Sequence, residues 1–325
     1  MPRFLPSLAK VAASVGLLAY LLIEVQRSDP ETFTRLQQTA PRWTTLVLAW
    51  GCLFASLAGG IVRWQIVLLA LGVPSRIGQV FRYAAYSYAL DFAALGTAGG
   101  DVAKAILLTR EHPGQGALVL SSVVIDRIIG LYCLLTIAAL VVLASGEMNP
   151  DLYPLRLGLI IAALSANLLV GLLWFAPGLG NVIERRRAVF GRHGEPIVGV
   201  VVALRRIRDR PLSLVPAVLL SAGVLVFLVT GFFLIGVALR GAAPTYAEQW
   251  QIVPIAMLSA IIPLPGGTLG ALDYAMSFLY QHVTAGRVAL GQGLLVVMVS
   301  RVVSIILVST AAALYLVEGK RHESR

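Results

Sequence analysis

Long apolar runs, separated by short polar stretches rich in arginine, set the pattern of the chain. A membrane-spanning helix needs about 20 apolar residues. Six runs meet that length: 4–24, 44–71, 116–145, 156–177, 212–239 and 287–317. Two further apolar stretches are broken, 79–110 by "LGTAGGD" and 248–283 by "PLPGG". Irregular backbone at membrane depth is tolerated only where protein or a water-filled cavity covers it. Each break therefore predicts the tip of a hairpin, in which an apolar half-helix enters, turns and returns. Pro263 and Pro265 end the descending half-helix in the second, because proline lacks an amide and disfavours helix before it. Gly266 and Gly267 make that turn, and Gly99 and Gly100 the other. Asp101 and Thr268, each directly after a Gly-Gly pair, are expected to cap the returning half-helices.

The pattern gives a fold class: an all-α polytopic membrane protein with six transmembrane helices plus two re-entrant helical hairpins, in one transmembrane domain over 1–325. Composition agrees. The chain is 58% hydrophobic and 13% charged, with mean hydropathy +0.83, where soluble domains are about 45–50% apolar. The N-terminal run resembles a signal peptide but lacks a small-residue cleavage site, and is read as a retained helix.

Charge then orients the spans. The net charge of +10 fits cytoplasmic loops and anionic lipid, and no nucleic-acid partner is expected. Residues 180–211 hold eight arginines, including "ERRR" and "RRIRDR", so this loop is cytoplasmic by the positive-inside rule. Its "PIVGVVVALRRIRDRP" reads as a helix on the membrane surface or as an ordinary basic anchor. Counting outwards puts both termini inside if each hairpin enters and leaves on one side. Then 17 Lys and Arg lie inside, six outside, and Arg63, Arg127 and Arg301 within spans. Threading the broken segments fully across also fits the charge bias; the hairpin reading is the one adopted.

The chain also repeats itself. "VVIDRIIGLYCLLTIAALVVL" (123–143) aligns without gaps to "VMVSRVVSIILVSTAAALYLV" (297–317), with six of 21 positions identical, Arg127 matching Arg301. Gly99-Gly100 matches Gly266-Gly267 at an offset of 167, which pairs Asp101 with Thr268. Repeat one covers about 1–145 and repeat two about 156–317. With the topology above they are inverted, an arrangement that puts transporter substrate sites near the midplane where broken helices meet.

Eight charges fall within the apolar segments: Arg63, Asp91, Asp101, Lys104, Asp126, Arg127, Asp273 and Arg301. At roughly 2.5–3.5 kcal/mol each they cannot all face lipid, so they pair or line a wet cavity. Asp126 and Arg127 are consecutive and point about 100° apart on a helix, so each needs another partner. Asp273 is expected to meet Arg127 or Arg301. Together with Gly99, Gly100, Pro265, Gly266, Gly267 and Thr268, these form the candidate substrate site. Helix N-termini at the hairpin tips would favour an anionic group such as a phosphate. The histidines and cysteines show no metal-ligand spacing, and there is no phosphate loop or Ser/His/Asp grouping. No cofactor and no catalysis are expected.

"DFAALGTAGGDVAKAILLTR", "DRIIGL" on the following span and "PLPGGTLGALD" together resemble the integral-membrane, flippase-like domain of lysylphosphatidylglycerol synthases, in order and over nearly the whole chain. Glutamate is frequent in that family where Asp101, Asp126 and Asp273 stand here. The resemblance implies lipid translocation. Stand-alone relatives are linked to aminoacyl-phospholipid, polyprenyl-linked or hopanoid lipids, and no stretch of this sequence offers a soluble aminoacyl-transferase domain.

The expectation is a flippase in the cytoplasmic (inner) membrane, moving an amphiphile with a phosphate-bearing or aminoacylated headgroup without ATP. Its partners would be membrane lipids, with a separately encoded lipid-synthesis enzyme as a second. The alternatives are a polyprenyl-phosphate-dependent transferase using Asp29 and Glu31, a non-transporting partner of a lipid-synthesis enzyme, and an ion-coupled carrier of soluble solutes.

Overall fold

The computed structural model describes residues 40–90, 96–146, 149–175, 203, 211–259, 271–289, 291–302 and 305–306. The predicted span 4–24, the basic loop from 180 to 202 and the acidic pair Asp29 and Glu31 lie outside them. Within the described residues the helices are α1 (Trp43–Ala70), α2 (Ile77–Leu90), α3 (Gly96–Glu111), α4 (Gly116–Ala144), α5 (Tyr153–Phe175), α6 (Val215–Ala238), α7 (Tyr246–Ser259), α8 (Ala271–Val283) and α9 (Gly291–Val302). Single 3₁₀ turns at Pro150–Leu152 and Pro211–Leu214 lead into α5 and α6.

The chain is a multi-pass membrane protein. Four described segments are long and apolar enough to cross a bilayer: Trp43–Ala70, Gly116–Ala144, Pro150–Leu172 and Leu212–Ala238. They match four of the six predicted spans to within a few residues. The sixth is entered later than its apolar run suggests. Ala285 and Gly286 have φ of 51° and 77°, and the Gly286 amide donates to the Gln281 carbonyl at 2.8 Å. That left-handed stop satisfies the last carbonyls of α8, and helix resumes only at Gly291.

α1 and α6 form the central pair. The Arg42 amide donates to the Ala238 carbonyl, and Ser56 Oγ to the Val224 carbonyl, each at 3.0 Å. With one contact at an end and one in the middle, the order Arg42 to Ala238 and Ser56 to Val224 makes the pair antiparallel. Each helix sets a glycine against the other. A Cβ at Gly59 would lie 2.7 Å from a Val224 methyl, and one at Gly231 would lie 2.8 Å from a Leu53 methyl. Small residues permit this close approach where lipid supplies no hydrophobic drive.

The described parts of each broken segment are two helices packed side by side. α2 has 14 residues and α3 has 16, about 21 and 24 Å long. Their feet meet: His112 Nε2 lies 2.6 Å from the Pro74 carbonyl, and Glu111 accepts from Gln79 Nε2 at 3.0 Å and from the Tyr83 hydroxyl. α7 and α8, with 14 and 13 residues, repeat the arrangement. Their upper ends touch where Ser259 Oγ donates to the Ala271 carbonyl at 3.2 Å. At their feet Arg287 Nη2 donates to both Glu248 oxygens at 2.6 and 2.7 Å. Thr245 and Glu248 also form a reciprocal capping box that starts α7.

Each hairpin has its own core. Trp64, Leu68, Val80, Tyr83, Leu108 and Val123 pack around the first. Phe232, Ile235, Ile252, Met276, Leu279 and Tyr280 pack around the second. α4 serves both, its first half in one cluster and its Ala138, Ala139 and Val142 in the other.

One expectation is corrected here. Gly99, Gly100 and Asp101 do not form the first hairpin tip; they lie inside α3, which already begins at Gly96. Asp101 is therefore not an N-cap. Two interior glycines cost about 1 kcal/mol each relative to alanine. Packing of α3 against α2 and α4 outweighs that, and Gly100 is buried there. The second tip, with Pro265, Gly266, Gly267 and Thr268, lies outside the described residues, as does Asp91.

Candidate functional site

Among the described residues, the intramembrane charges form three ionic ties. The first joins α1 to α4. Arg63 Nε donates to Asp126 Oδ1 at 2.7 Å and Nη2 to Oδ2 at 3.2 Å, the two-pronged fork that suits guanidinium and carboxylate. Arg63 Nη1 also donates to Ser221 Oγ on α6 at 3.1 Å, so three helices meet at one side chain. Gly130, one turn beyond Asp126, leaves the space: a Cβ there would lie 2.9 Å from Arg63 Nη1.

The second tie joins the first hairpin to α4. Asp101 on α3 holds two cations, Lys104 Nζ at 2.7 Å and Arg127 Nε at 2.5 Å. Lys104 is one turn along the same helix and is buried. Its ammonium stands 4.7 Å from the centre of the Trp64 ring, a cation–π contact. The Trp64 indole N–H donates to Ser122 Oγ at 3.0 Å, which fixes the ring plane. Asp126 and Arg127 thus diverge as the helix geometry demands, one turned inward to α1 and the other to α3.

The third tie joins the second hairpin to α9. Arg301 Nη2 donates to Asp273 Oδ2 at 2.8 Å. Asp273 sits in the first turn of α8, where a negative charge is favoured by the helix dipole. The approach depends on Gly293, whose added Cβ would come within 2.8 Å of the Met276 carbonyl oxygen. α9 therefore lies directly on the α8 backbone.

Of the candidate residues, the structure brings together Arg63 with Asp126, Asp101 with Lys104 and Arg127, and Asp273 with Arg301. The partner of Asp273 is Arg301 and not Arg127. Asp101 and Asp273, 172 positions apart, each hold an arginine of a later helix, Arg127 and Arg301, which are 174 positions apart.

Sequence reading missed Trp64, Ser122 and Ser221. A signal existed for the first: a buried tryptophan needs a partner for its N–H, and Trp64 follows Arg63 directly. Nothing in the apolar run around Ser221 distinguishes it from the other small residues there.

Chemically, the ties are carboxylates held by cations that a phosphate oxygen can also engage, since guanidinium forks accept either anion. Comparison with curated proteins and with solved structures finds no match. The family model described as "Lysylphosphatidylglycerol synthase TM region" matches residues 7–312. With the apolar helices and the buried charges in place, the chain belongs to the lysylphosphatidylglycerol synthase transmembrane-region family.

Proposed function

We propose that the protein is a lipid carrier, a flippase that moves an amphiphile with a charged, phosphate-bearing or aminoacylated headgroup between leaflets of the cytoplasmic membrane, without ATP and without chemistry of its own. The headgroup occupies the polar interior near the hairpins while its tails stay in lipid. On this reading the fold has six spans and two re-entrant hairpins, one dipping from each face, with both termini cytoplasmic. The two halves form an inverted repeat and rock against one another.

The observation that carries the reading is the matched pair of ties, Asp101 to Arg127 and Asp273 to Arg301. Each links the second helix of a hairpin to the long apolar segment that follows it. Intramembrane ionisable residues are expensive and mark substrate pathways. Broken helices near the bilayer midplane are where repeat-built transporters place their substrate sites. Membership in a family of lipid-synthase membrane regions supports a lipid as the cargo.

The test is leaflet exchange of labelled phosphatidylglycerol in sealed liposomes containing the purified protein and no nucleotide. Faster exchange than in protein-free liposomes supports the carrier. Unchanged exchange of phosphatidylglycerol, lysyl-phosphatidylglycerol and a polyprenyl phosphate overturns it.

A further inference from the structure

The feet of the two hairpins are held by different chemistry. Arg287 and Glu248 close the second with an ion pair, and neither a guanidinium nor a carboxylate ordinarily changes charge near neutral pH. The first is closed in part by a histidine. His112 directly follows the last residue of α3, where the helix dipole favours a positive charge. Its Nδ1 lies 3.1 Å from the Leu108 carbonyl oxygen and its Nε2 2.6 Å from the Pro74 carbonyl oxygen. Leu108 is among the last four residues of α3, whose carbonyls a helix leaves to outside partners. The His112 amide itself donates to the Thr109 carbonyl at 3.1 Å. Pro74 belongs to the turn between α1 and α2. That turn is fixed to α1, where Gln65 Nε2 donates to the Ser75 carbonyl at 3.2 Å. One imidazole thus joins the end of α3 to the turn that leaves α1.

Both partners of the ring are carbonyl oxygens, which only accept. A neutral imidazole has one N–H and one lone pair, so both contacts are hydrogen bonds only when both nitrogens carry a proton. With the proton gone from Nδ1, its lone pair faces the Leu108 oxygen, and the bond to Pro74 loses the strengthening that a charged donor gives. The other titratable or charged side chains of the foot are Arg76, Arg82 and Tyr83 on the α2 side and Arg110 and Glu111 on α3. The Glu111 carboxylate is taken by Gln79 and Tyr83. The last turns of α1, 64–71, and the first of α4, 116–125, contribute none. At the second foot His282 Nδ1 lies 2.8 Å from the Phe278 carbonyl on its own helix, a contact that one N–H satisfies and that joins no second element.

We propose that His112 is a proton-operated latch on the first hairpin. Protonated, it clamps the end of α3 to the α1–α2 turn; deprotonated, it gives up the Leu108 bond and the foot loosens. Protonation and closure favour each other. Closure is therefore fullest at acid pH and is lost as pH rises through roughly 5 to 8, the range in which histidine changes charge. The latch stands on the geometry of the foot alone and holds whether or not the protein carries lipid.

The experiment uses the full chain in phosphatidylcholine liposomes, with Cys52→Ala and Cys133→Ala and spin labels at Gly78→Cys and Ile106→Cys. Electron–electron distances are measured at about pH 5.5 and about pH 8. A single short distance at acid pH should give way to a longer population at alkaline pH. The ratio of the two should change by about tenfold, the worth of one charge-assisted hydrogen bond. His112→Gln should abolish the pH dependence, and Glu111→Gln should keep it. Labels at Ala247→Cys and Ala289→Cys across the second foot should report the same distance at both pH values. A distance across the first foot that ignores pH, a pH dependence that survives His112→Gln or is lost in Glu111→Gln, or equal movement of both feet overturns the latch. If His112→Gln does not fold, nitrogen-15 spectra of histidine-labelled, unaltered protein decide. An imidazolium in contact with a carbon-13-labelled proline carbonyl at about pH 5.5 supports the latch, and a neutral ring there overturns it.

Discussion

The two hairpins have the same plan and opposite chemistry. α2–α3 and α7–α8 each join two short helices at their feet and present an aspartate to an arginine on the next long apolar segment. In the first, the residue three places after the aspartate is Lys104, stacked over Trp64. In the second it is Met276, fully buried against the core. One carboxylate therefore meets Lys104 and a half-exposed Arg127, and the other meets Arg301 under cover. A shared backbone plan fixes where a charge can stand. Its neighbours decide whether that charge serves as a strut or stays available to a ligand.

The largest expected effect comes from breaking the covered tie. Asp273→Ala leaves Arg301 without its carboxylate in a site where Asp273 was 1% exposed, and should cost about 3–5 kcal/mol. Adding Arg301→Met should restore part of that loss. Thermal unfolding of the detergent-solubilised protein, followed by size exclusion, measures both; a single variant as stable as the parent would show that the tie is not a strut.

Next comes the contact that brings α9 to α8. Gly293→Ala places a methyl within 2.8 Å of backbone, where only a helix shift relieves the clash. Overpacking of this kind costs about 1–3 kcal/mol, and spin-label distances between α8 and α9 should lengthen. The equivalent change at Gly59 meets only a Val224 methyl, a side chain that can turn, and should be milder in the same assay.

The open cluster should respond differently. Lys104→Met makes the first hairpin resemble the second, and it removes a cation–π contact worth about 0.5–2 kcal/mol. It also removes the Lys104–Asp101 ion pair, but Asp101 keeps Arg127, so stability should fall by less than in Asp273→Ala, while leaflet exchange of an anionic lipid falls severalfold. Exchange unchanged by Lys104→Met would show that Lys104 is structural.

The smallest effect is expected at the foot of the second hairpin. Glu248→Gln breaks an ion pair in which Arg287 is half-exposed. Such pairs contribute about 0–1 kcal/mol, and the capping box keeps its amide-to-Thr245 half. A shift in melting of more than a few degrees would mean that the foot is a latch for the hairpin.

Much of this was legible in the chain. The spans at α1, α4, α5 and α6 follow from run length, because lipid admits only backbone that satisfies its own hydrogen bonds. The two broken segments followed from the same rule, and so did the need for Asp126 and Arg127 to find separate partners. The misreading of Gly99, Gly100 and Asp101 has a definite cause. Glycine weakens a helix only modestly, so its presence marks equally a turn and a close contact. Choosing between them needs the neighbour that packs on it.

Sequence by itself thus determined the class of the fold, the count of charges that had to be hidden and the family. Those depend on local hydropathy and on residue order, which the chain carries in one dimension. Only the tertiary structure decided which charge meets which: Arg63 lies 63 positions from Asp126 and 158 from Ser221. It also decided that Asp101 meets Lys104 and a half-exposed Arg127 while Asp273 meets Arg301 under cover. Pairing and exposure are set by how α1, α4, α6 and the hairpins stack, and no local pattern encodes a distance across helices.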